Sequence, residues 1–323
     1  MALLDSGVDG YVLEPATPAD LDEAYAVAAA ELTEAFGFCS WTVEDARAVL
    51  EPPEGAVFLH RLVRDREDGT AVQWWTALRL PGDPVFHARI NSHPRLRGPA
   101  ADRLVRAGWG TMFDWIREVA PRDQDEVQVH SGCPANGDAQ HRRLVAEGFQ
   151  HERTFWEMTG RVTTDTRRQP PVAGLTVEPT RDAQAMHRVL NEGFIGHWGF
   201  EPMSFDEWLA VERSSAGYDP ELWRLARIDG TPAAAMVLTR RAATEGALYI
   251  AELATLAPYR GRGIASALLA HAFDVAAEQR LDQVWLHVDS ENANNAPSVY
   301  RRAGFDVRSA FDAFTRSLTT GVR

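Results

Sequence analysis

Leu253-Ala254-Thr255-Leu256-Ala257-Pro258-Tyr259-Arg260-Gly261-Arg262-Gly263-Ile264-Ala265-Ser266-Ala267-Leu268-Leu269 is the stretch from which the fold follows. An apolar run beginning near Ala247 leads into it, a turn dense in Arg and Gly breaks it, and from Gly263 apolar residues recur at helical spacing through Phe273. The pattern predicts strand, tight loop, helix. Glycines let the loop backbone approach a ligand, and the first helical turn points unpaired N–H groups and the positive end of its dipole into the loop. Arg260 and Arg262 add charge at the same place. Such a pocket suits a pyrophosphate.

Three phosphate-binding readings compete for this loop. A Walker loop needs Lys followed by Ser or Thr, and the chain contains no lysine. A dinucleotide fingerprint wants Gly or Ala where Ser266 stands, together with an adjoining βαβ unit. The third reading fits: Arg260-x-x-Gly263-x-Ala265 between a strand and a helix resembles the R/Q-x-x-G-x-G/A signature of the GNAT superfamily of acyl-CoA-dependent N-acetyltransferases. A second segment follows in the expected order. Gln283-Val284-Trp285-Leu286-His287-Val288 reads as a strand, Asp289 to Ala296 as an Asn-bearing loop, and Val299-Tyr300-Arg301-Arg302-Ala303-Gly304-Phe305 as a short helix opening the last strand.

The resemblance implies acetyl-CoA as acyl-donor cosubstrate. It places the coenzyme's pyrophosphate on Arg260, Gly261, Arg262, Gly263, Ile264, Ala265 and Ser266, and the acetyl carbonyl on a main-chain N–H around Thr255 to Leu256. Asn292 and Asn295 either touch the cofactor arm or cap the helix from Ala296. Tyr300 matches the family's Tyr, which protonates the departing thiolate. In this superfamily the segment joining the first two helices walls the acceptor pocket, which makes His197 and Trp198 candidates for that wall.

Acyl transfer to an amine also needs a base. An acceptor ammonium has a pKa of roughly 10, so freeing the amine at neutral pH costs on the order of 4 kcal/mol. Glu252 is the candidate, being a carboxylate within the apolar strand Leu248 to Leu253, where burial is costly unless it is partnered or functional. Measured back from the Arg-x-x-Gly motif, the base Glu of related enzymes lies nearer Tyr249.

The chain also repeats itself. Glu14-Pro15 and Glu178-Pro179, each ending a short strand before a capped helix, lie 164 residues apart. Arg95-Leu96-Arg97-Gly98-Pro99-Ala100 matches the loop from Arg260 at an offset of 165, and Val127 through Asn136 to Gly148-Phe149 matches the second segment at 156. We therefore expect an α/β (α+β layered) protein of two tandem GNAT-type domains, each a mixed, mostly antiparallel sheet flanked by helices. The expected bounds are 1–160 for a degenerate first domain, 161–173 for a linker and 174–323 for the catalytic domain. In the first copy Leu96 replaces a loop glycine, Pro99 removes an N–H donor and Leu144 stands where the second has Tyr300. Mycothiol synthase is a tandem protein of the same superfamily.

Composition sets outer bounds. At 323 residues the chain has room for two cores, and no apolar run is long enough to span a bilayer. Without a signal peptide at Met1 to Tyr11, a cytoplasmic protein is expected. A net charge of −13 argues against nucleic acid as a partner and favours a cationic acceptor. Cys39 and Cys133 have no metal-ligand spacing and read as small, partly or fully buried thiols. The expected activity is acetyl transfer from acetyl-CoA to a small-molecule primary amine in a ternary complex. An acyl-CoA sensor without catalysis and a protein N-acetyltransferase are the alternatives.

Overall fold

The computed structural model describes residues 4–5, 8–163, 171–215, 217–292 and 294–321. Two compact units divide the chain: 1–154 with 310–323, and 155–309. The first contains β1 (Leu4–Asp5), β2 (Tyr11–Pro15), α1 (Leu21–Phe36), α2 (Val43–Leu50), β3 (Val57–Asp65), β4 (Ala71–Arg79) and β5 (Val85–Ser92). After these come α3 (Gly98–Val119), β6 (Glu126–Pro134), α4 (Asp138–Ala146) and the start of β7 (Gln150–Arg161). The second holds the rest of β7, then β8 (Leu175–Pro179), α5 (Ala183–Gly193), α6 (Phe205–Ser214), β9 (Arg224–Ile228), β10 (Thr231–Thr239) and β11 (Ala247–Thr255). It closes with α7 (Ile264–Glu278), β12 (Gln283–Asp289), α8 (Ala296–Arg302) and the first residues of β13 (Phe305–Thr319).

The expected bounds therefore shift at both ends. Residues 155–161 fall in the second unit, and 310–323 in the first. The physical reason is the pairing of the last strand: Phe311 to Thr319 bond antiparallel along the whole of β6 from Pro134 to Glu126. Residues 164–170 of the expected linker lie outside the described residues.

Each sheet is covered on both faces. In the first unit Trp74 and Trp75 point to opposite sides of β4, as alternation requires, and both are fully buried. Trp74 shares a core cluster with Leu21, Ala24, Val27 and Ala28 of α1, and Trp75 shares another with Leu104, Met112 and Ile116 of α3. In the second unit the strand order is β7-β12-β11-β10-β9-β8. Met186, Leu190 and Trp208 from α5 and α6 cover one face, while Leu268, Leu269, Ala272 and Tyr300 from α7 and α8 cover the other.

Local signals behave as the residues dictate. Ser204 caps α6 by accepting the Glu207 N–H, and the Glu207 carboxylate returns to the Ser204 N–H, a reciprocal cap. Asp229-Gly230, both at positive φ, turn β9 into β10. Both cysteines are free thiols, and burial pushes that of Cys133 up to about 12. Among the described residues no helix is long and apolar enough to cross a membrane.

Candidate active site

The site begins where two parallel strands part. β11 and β12 pair from Ala247–Gln283 to Ile250–Leu286 and no further. Each keeps its outer neighbour beyond that point: β11 stays on β10 as far as Thr255, and β12 on β7 as far as Asp289. A fork opens between them. Val237 pairs with Glu252 while Leu238 pairs with Ile250, so Ala251 is an extra residue, a bulge at the root of the fork.

Backbone donors face into this opening. The Leu256 N–H bonds the Ala233 carbonyl at 3.0 Å on the β10 side. Alternation along an antiparallel ladder then turns the N–H groups of Leu253 and Thr255 toward the fork. Of the two donors expected near the acyl carbonyl, the Thr255 N–H turns into the fork. The Leu256 N–H does not, because β10 already takes it.

The loop below is built to leave its amides open. Gly261 and Gly263 have φ of +73° and +83°, a backbone that side chains with a Cβ rarely adopt. Gly263 is the N-cap of α7, and no side chain caps that helix. Its first N–H groups thus have no partner from an N-cap side chain, and its dipole points at the loop. A cavity of about 640 Å³ joins fork and loop, lined by Ile250, Ala251, Leu253, Ala254 and Thr255, by Leu286 to Asp289, and by Gly261, Gly263, Ile264, Ala265 and Ser266.

Arg260 stands on the cavity wall beside Gly261, and its guanidinium also bonds within the protein. Its Nε donates to the Thr255 carbonyl at 3.0 Å, Nη1 to Asn294 Oδ1 at 3.0 Å and Nη2 to the Gly193 carbonyl at 2.9 Å. The guanidinium ties the end of β11, the end of α5 and the Asn-bearing loop together. Arg262 lies over the Tyr259 ring at 5.7 Å, away from the cavity wall. Arg302, which sequence reasoning missed, stands on that wall. Arg260→Ala should lower unfolding free energy by on the order of 1–3 kcal/mol, since the residue is exposed and solvent discounts each of its three bonds from the roughly 1.5 kcal/mol of a charged donor. Arg260→Lys should recover little, because one ammonium cannot span three acceptors. Urea melts that superimpose on those of the parent would show the clamp to be idle.

Asn292 organises its loop: its Oδ1 accepts the Asn294 N–H at 2.9 Å and the Ala296 N–H at 3.5 Å, while its amide meets His197 Nδ1 at 3.4 Å. Asn295 is the N-cap of α8 at φ +55° without a side-chain cap bond, and the cavity wall passes it by. His197 and Trp198 both line the cavity, with the Trp198 ring 5.9 Å from that of Phe155. Burial, then the Arg260 guanidinium, hold His197 below its ordinary value, against a smaller opposing pull from Asp289. Tyr300 lines the cavity too. Its ring packs edge-on to Phe305 at 6.1 Å, and burial pushes its phenol up to about 12.

The structure does not bring Glu252 to this wall. The bulge at Ala251 reverses the alternation, so Leu253 joins the α7 face while Glu252 turns with Ala254 toward α6. There burial, helped by the Glu212 carboxylate and opposed by the Trp208 indole, pushes it up to about 8. Glu212 itself is pushed up to about 7 by burial. A carboxyl raised above its unfolded value stabilises the fold fully below about pH 4.5, and that contribution is lost as pH climbs toward 8. Glu252→Gln stays neutral throughout. Between pH 5 and 8 it should lose on the order of 4 kcal/mol less stability than the parent; parallel stability–pH curves would count against this.

The first unit repeats the fork in altered form. β5 and β6 pair only from Val85–Gln128 to His87–His130, and the His93 N–H bonds the Val72 carbonyl just as Leu256 bonds Ala233. Ser92 thus corresponds to Thr255. Its N–H, however, is taken by the Glu31 carboxylate of α1 at 3.2 Å, whose other oxygen lies 3.4 Å from Arg89. Arg95 is ion-paired with Asp65 and Asp68, and Leu96 and Leu144 are buried in the core.

Residues 183–305 match the Acetyltransferase (GNAT) family. Among solved structures, a GCN5-related N-acetyltransferase from Sphaerobacter thermophilus aligns over 96% of this chain and 96% of its own, with 27% identity and a TM-score of 0.76. A tandem GNAT protein from the clavulanic acid biosynthesis pathway aligns over 96% and 99%, with 14% identity and a TM-score of 0.71. N-myristoyltransferase of Saccharomyces cerevisiae, solved with myristoyl-CoA, aligns over 98% and 79%, with 12% identity and a TM-score of 0.55. Among curated proteins none matches.

Proposed function

We propose that this chain, whose residues 183–305 carry an acetyltransferase domain of the GNAT family, moves an acetyl group from acetyl-CoA to a primary amine on a small molecule, and that the second unit does the chemistry. The observation that carries the reading is the fork between β11 and β12, with inward N–H groups at Leu253 and Thr255, standing over a glycine loop and an uncapped helix start. These features fit the cosubstrate part by part. Loop and helix N–H groups suit a diphosphate, and the cavity has the size of a small-molecule site. In the first unit the corresponding amide is already satisfied by Glu31, which favours the second unit as the working half.

Acetyl-CoA, when bound, supplies an activated acyl group and a thiol leaving group. The residues of the chain do the rest. Thr255 N–H, or Leu253 N–H beside it, orients the acyl carbonyl and stabilises negative charge developing on its oxygen. Tyr300 holds a proton on Oη for the leaving sulfur. His197, Trp198 and Phe155 bound the acceptor side and keep water from it.

The test is thiol release from acetyl-CoA by the full chain against a panel of phenethylamine, glucosamine, kanamycin, free amino acids and cysteinyl sugars, with a peptide panel alongside. Release with a small amine and a product heavier by one acetyl group is the expected result. Acetyl-CoA binding without release from any amine would replace this reading with that of a sensor. Acetylated peptides alone would make the chain a protein acetyltransferase.

A further inference from the structure

The side of the cavity away from α7 carries a charge that acetyl transfer itself does not use. Leu286 and Val288 pack toward α7, so Asp289, next in the alternation of β12, points to the opposite face. Phe155 is its register partner on β7, and residues paired across an antiparallel ladder share a face. Trp198, from the segment joining α5 and α6, brings its ring to 5.9 Å from that of Phe155, tilted by 54°. All three residues stand on the cavity wall. Among the described residues that form this wall Asp289 is the one carboxylate, whereas Arg260 and Arg302 stand at the glycine loop and on α8. Asp289 Oδ1 accepts the Glu291 N–H at 2.9 Å, and an ionised carboxylate, which can accept about four hydrogen bonds, is not exhausted by that one.

Two rings and a carboxylate on one wall suit a cation. The faces of Phe and Trp attract positive charge through their quadrupoles, and the carboxylate attracts it directly. An uncharged ring laid over Asp289 would strip water from its carboxylate and return nothing, whereas a cation offsets that loss. The position also keeps such a cation apart from the reacting nitrogen. The N–H groups of Leu253 and Thr255 lie on β11 and Asp289 lies on β12, beyond the point where the strands part, so more than the ~4.8 Å between paired strands separates them.

We propose that the acceptor is an amine carrying a second cation a few bonds from the first, and that Asp289 holds this second cation against the rings of Phe155 and Trp198. The inference rests on the acetyl-transfer reading and narrows it. One nitrogen takes the acetyl group; the other keeps its charge and is held, which sets where the first stands relative to the thioester. Asp289 binds and orients the substrate and takes no proton from it. Acetylation consumes one of the two amines, so the product can no longer fill the subsite and present a nitrogen at the same time. A second transfer to the same molecule is therefore disfavoured.

The experiment compares 1,4-diaminobutane with 4-aminobutan-1-ol, which puts a hydroxyl in place of the second ammonium, and with phenethylamine, as acceptors for thiol release from acetyl-CoA by the full chain. The kcat/KM for the diamine should exceed that for the amino alcohol about tenfold, chiefly through KM, and the preference should shrink as salt is raised. Asp289→Asn keeps an oxygen for the Glu291 N–H but not the charge, and should bring the ratio of the two kcat/KM values to about one. Trp198→Leu keeps an apolar wall without the ring face and should cut the ratio about threefold. Monoacetylated diamine should accumulate ahead of the diacetylated product, as read by mass spectrometry. Calorimetry of 1,4-diaminobutane on the unaltered full chain, with and without coenzyme A, reads the subsite independently of turnover and of whether a variant folds. Saturable binding is expected, and its absence overturns the proposal. So does a parent that uses diamine and amino alcohol equally well, or an Asp289→Asn variant with the parental ratio. A preference for phenethylamine that Asp289→Asn does not alter would give the wall to an aromatic ring instead. Those results leave acetyl transfer standing, whereas diamine binding without thiol release from any amine would sink the acetyl-transfer reading and keep the cation subsite.

Discussion

Gly261→Asp should weaken acetyl-CoA binding about a hundredfold relative to Gly261→Asn, measured by calorimetry on the full chain. Gly261 sits in the left-handed region at φ +73°, and a Cβ built there meets nothing within 4 Å. Asn and Asp are the two residues that best tolerate such a backbone and are nearly equal in size. Strain and bulk therefore cancel between the variants. What differs is one negative charge on the wall of the cavity, beside helix N–H groups that no side chain caps. Placed roughly 6 Å from a diphosphate in a partly solvated site, that charge costs on the order of 2–3 kcal/mol, and each 1.4 kcal/mol is tenfold in affinity. Equal affinities for the Asn and Asp variants would mean that the diphosphate does not lie at this loop. Gly263 is the poorer probe, since its Cβ would come 3.4 Å from Val172 and mix crowding with charge.

Tyr300→Phe should lower kcat about a hundredfold while leaving acetyl-CoA affinity unchanged. Phe fills the same space against Phe305, so the packing survives. Only the proton on Oη is lost, and with it the donor to the leaving thiolate, whose parent thiol has a pKa of about 8.5. With its phenol pushed up to about 12, Tyr300 remains a neutral donor across the whole working range. Its removal should therefore lower the pH–rate profile without moving either limb. Parental kcat in the Phe variant would take Tyr300 out of the chemistry, and a displaced limb would mean that it titrates where its burial says it does not.

The reach of the sequence can be judged residue by residue. The path of strand, glycine loop and helix was legible because its determinants are local: period-two apolar residues, glycines at positive φ, and a helical repeat from Gly263. Ser204 as a cap and Asp229-Gly230 as a turn were legible for the same reason. Glu252 was not, because a single bulged residue at Ala251 inverts which face every later side chain takes, and nothing in the composition of β11 marks the bulge. Arg260 was legible as a charge at the loop but not as a clamp, because charge is visible in a sequence whereas acceptors distant along the chain are not. Two of its partners, Gly193 and Asn294, lie 67 and 34 residues away. The domain ends were misjudged through the same blindness to long-range pairing, since it is β6, far upstream, that claims the last strand.

The carboxylate of Glu31, lodged on the Ser92 amide, amounts to a resident occupant in the first half of the molecule. A half that carries its own permanent tenant has its order encoded in the chain, whatever the surrounding concentration of metabolites. In the other half the N–H groups of Leu253 and Thr255 turn into the open fork. The two forks thus differ in what holds them: one is closed by a side chain of the protein itself, and the other opens onto the cavity.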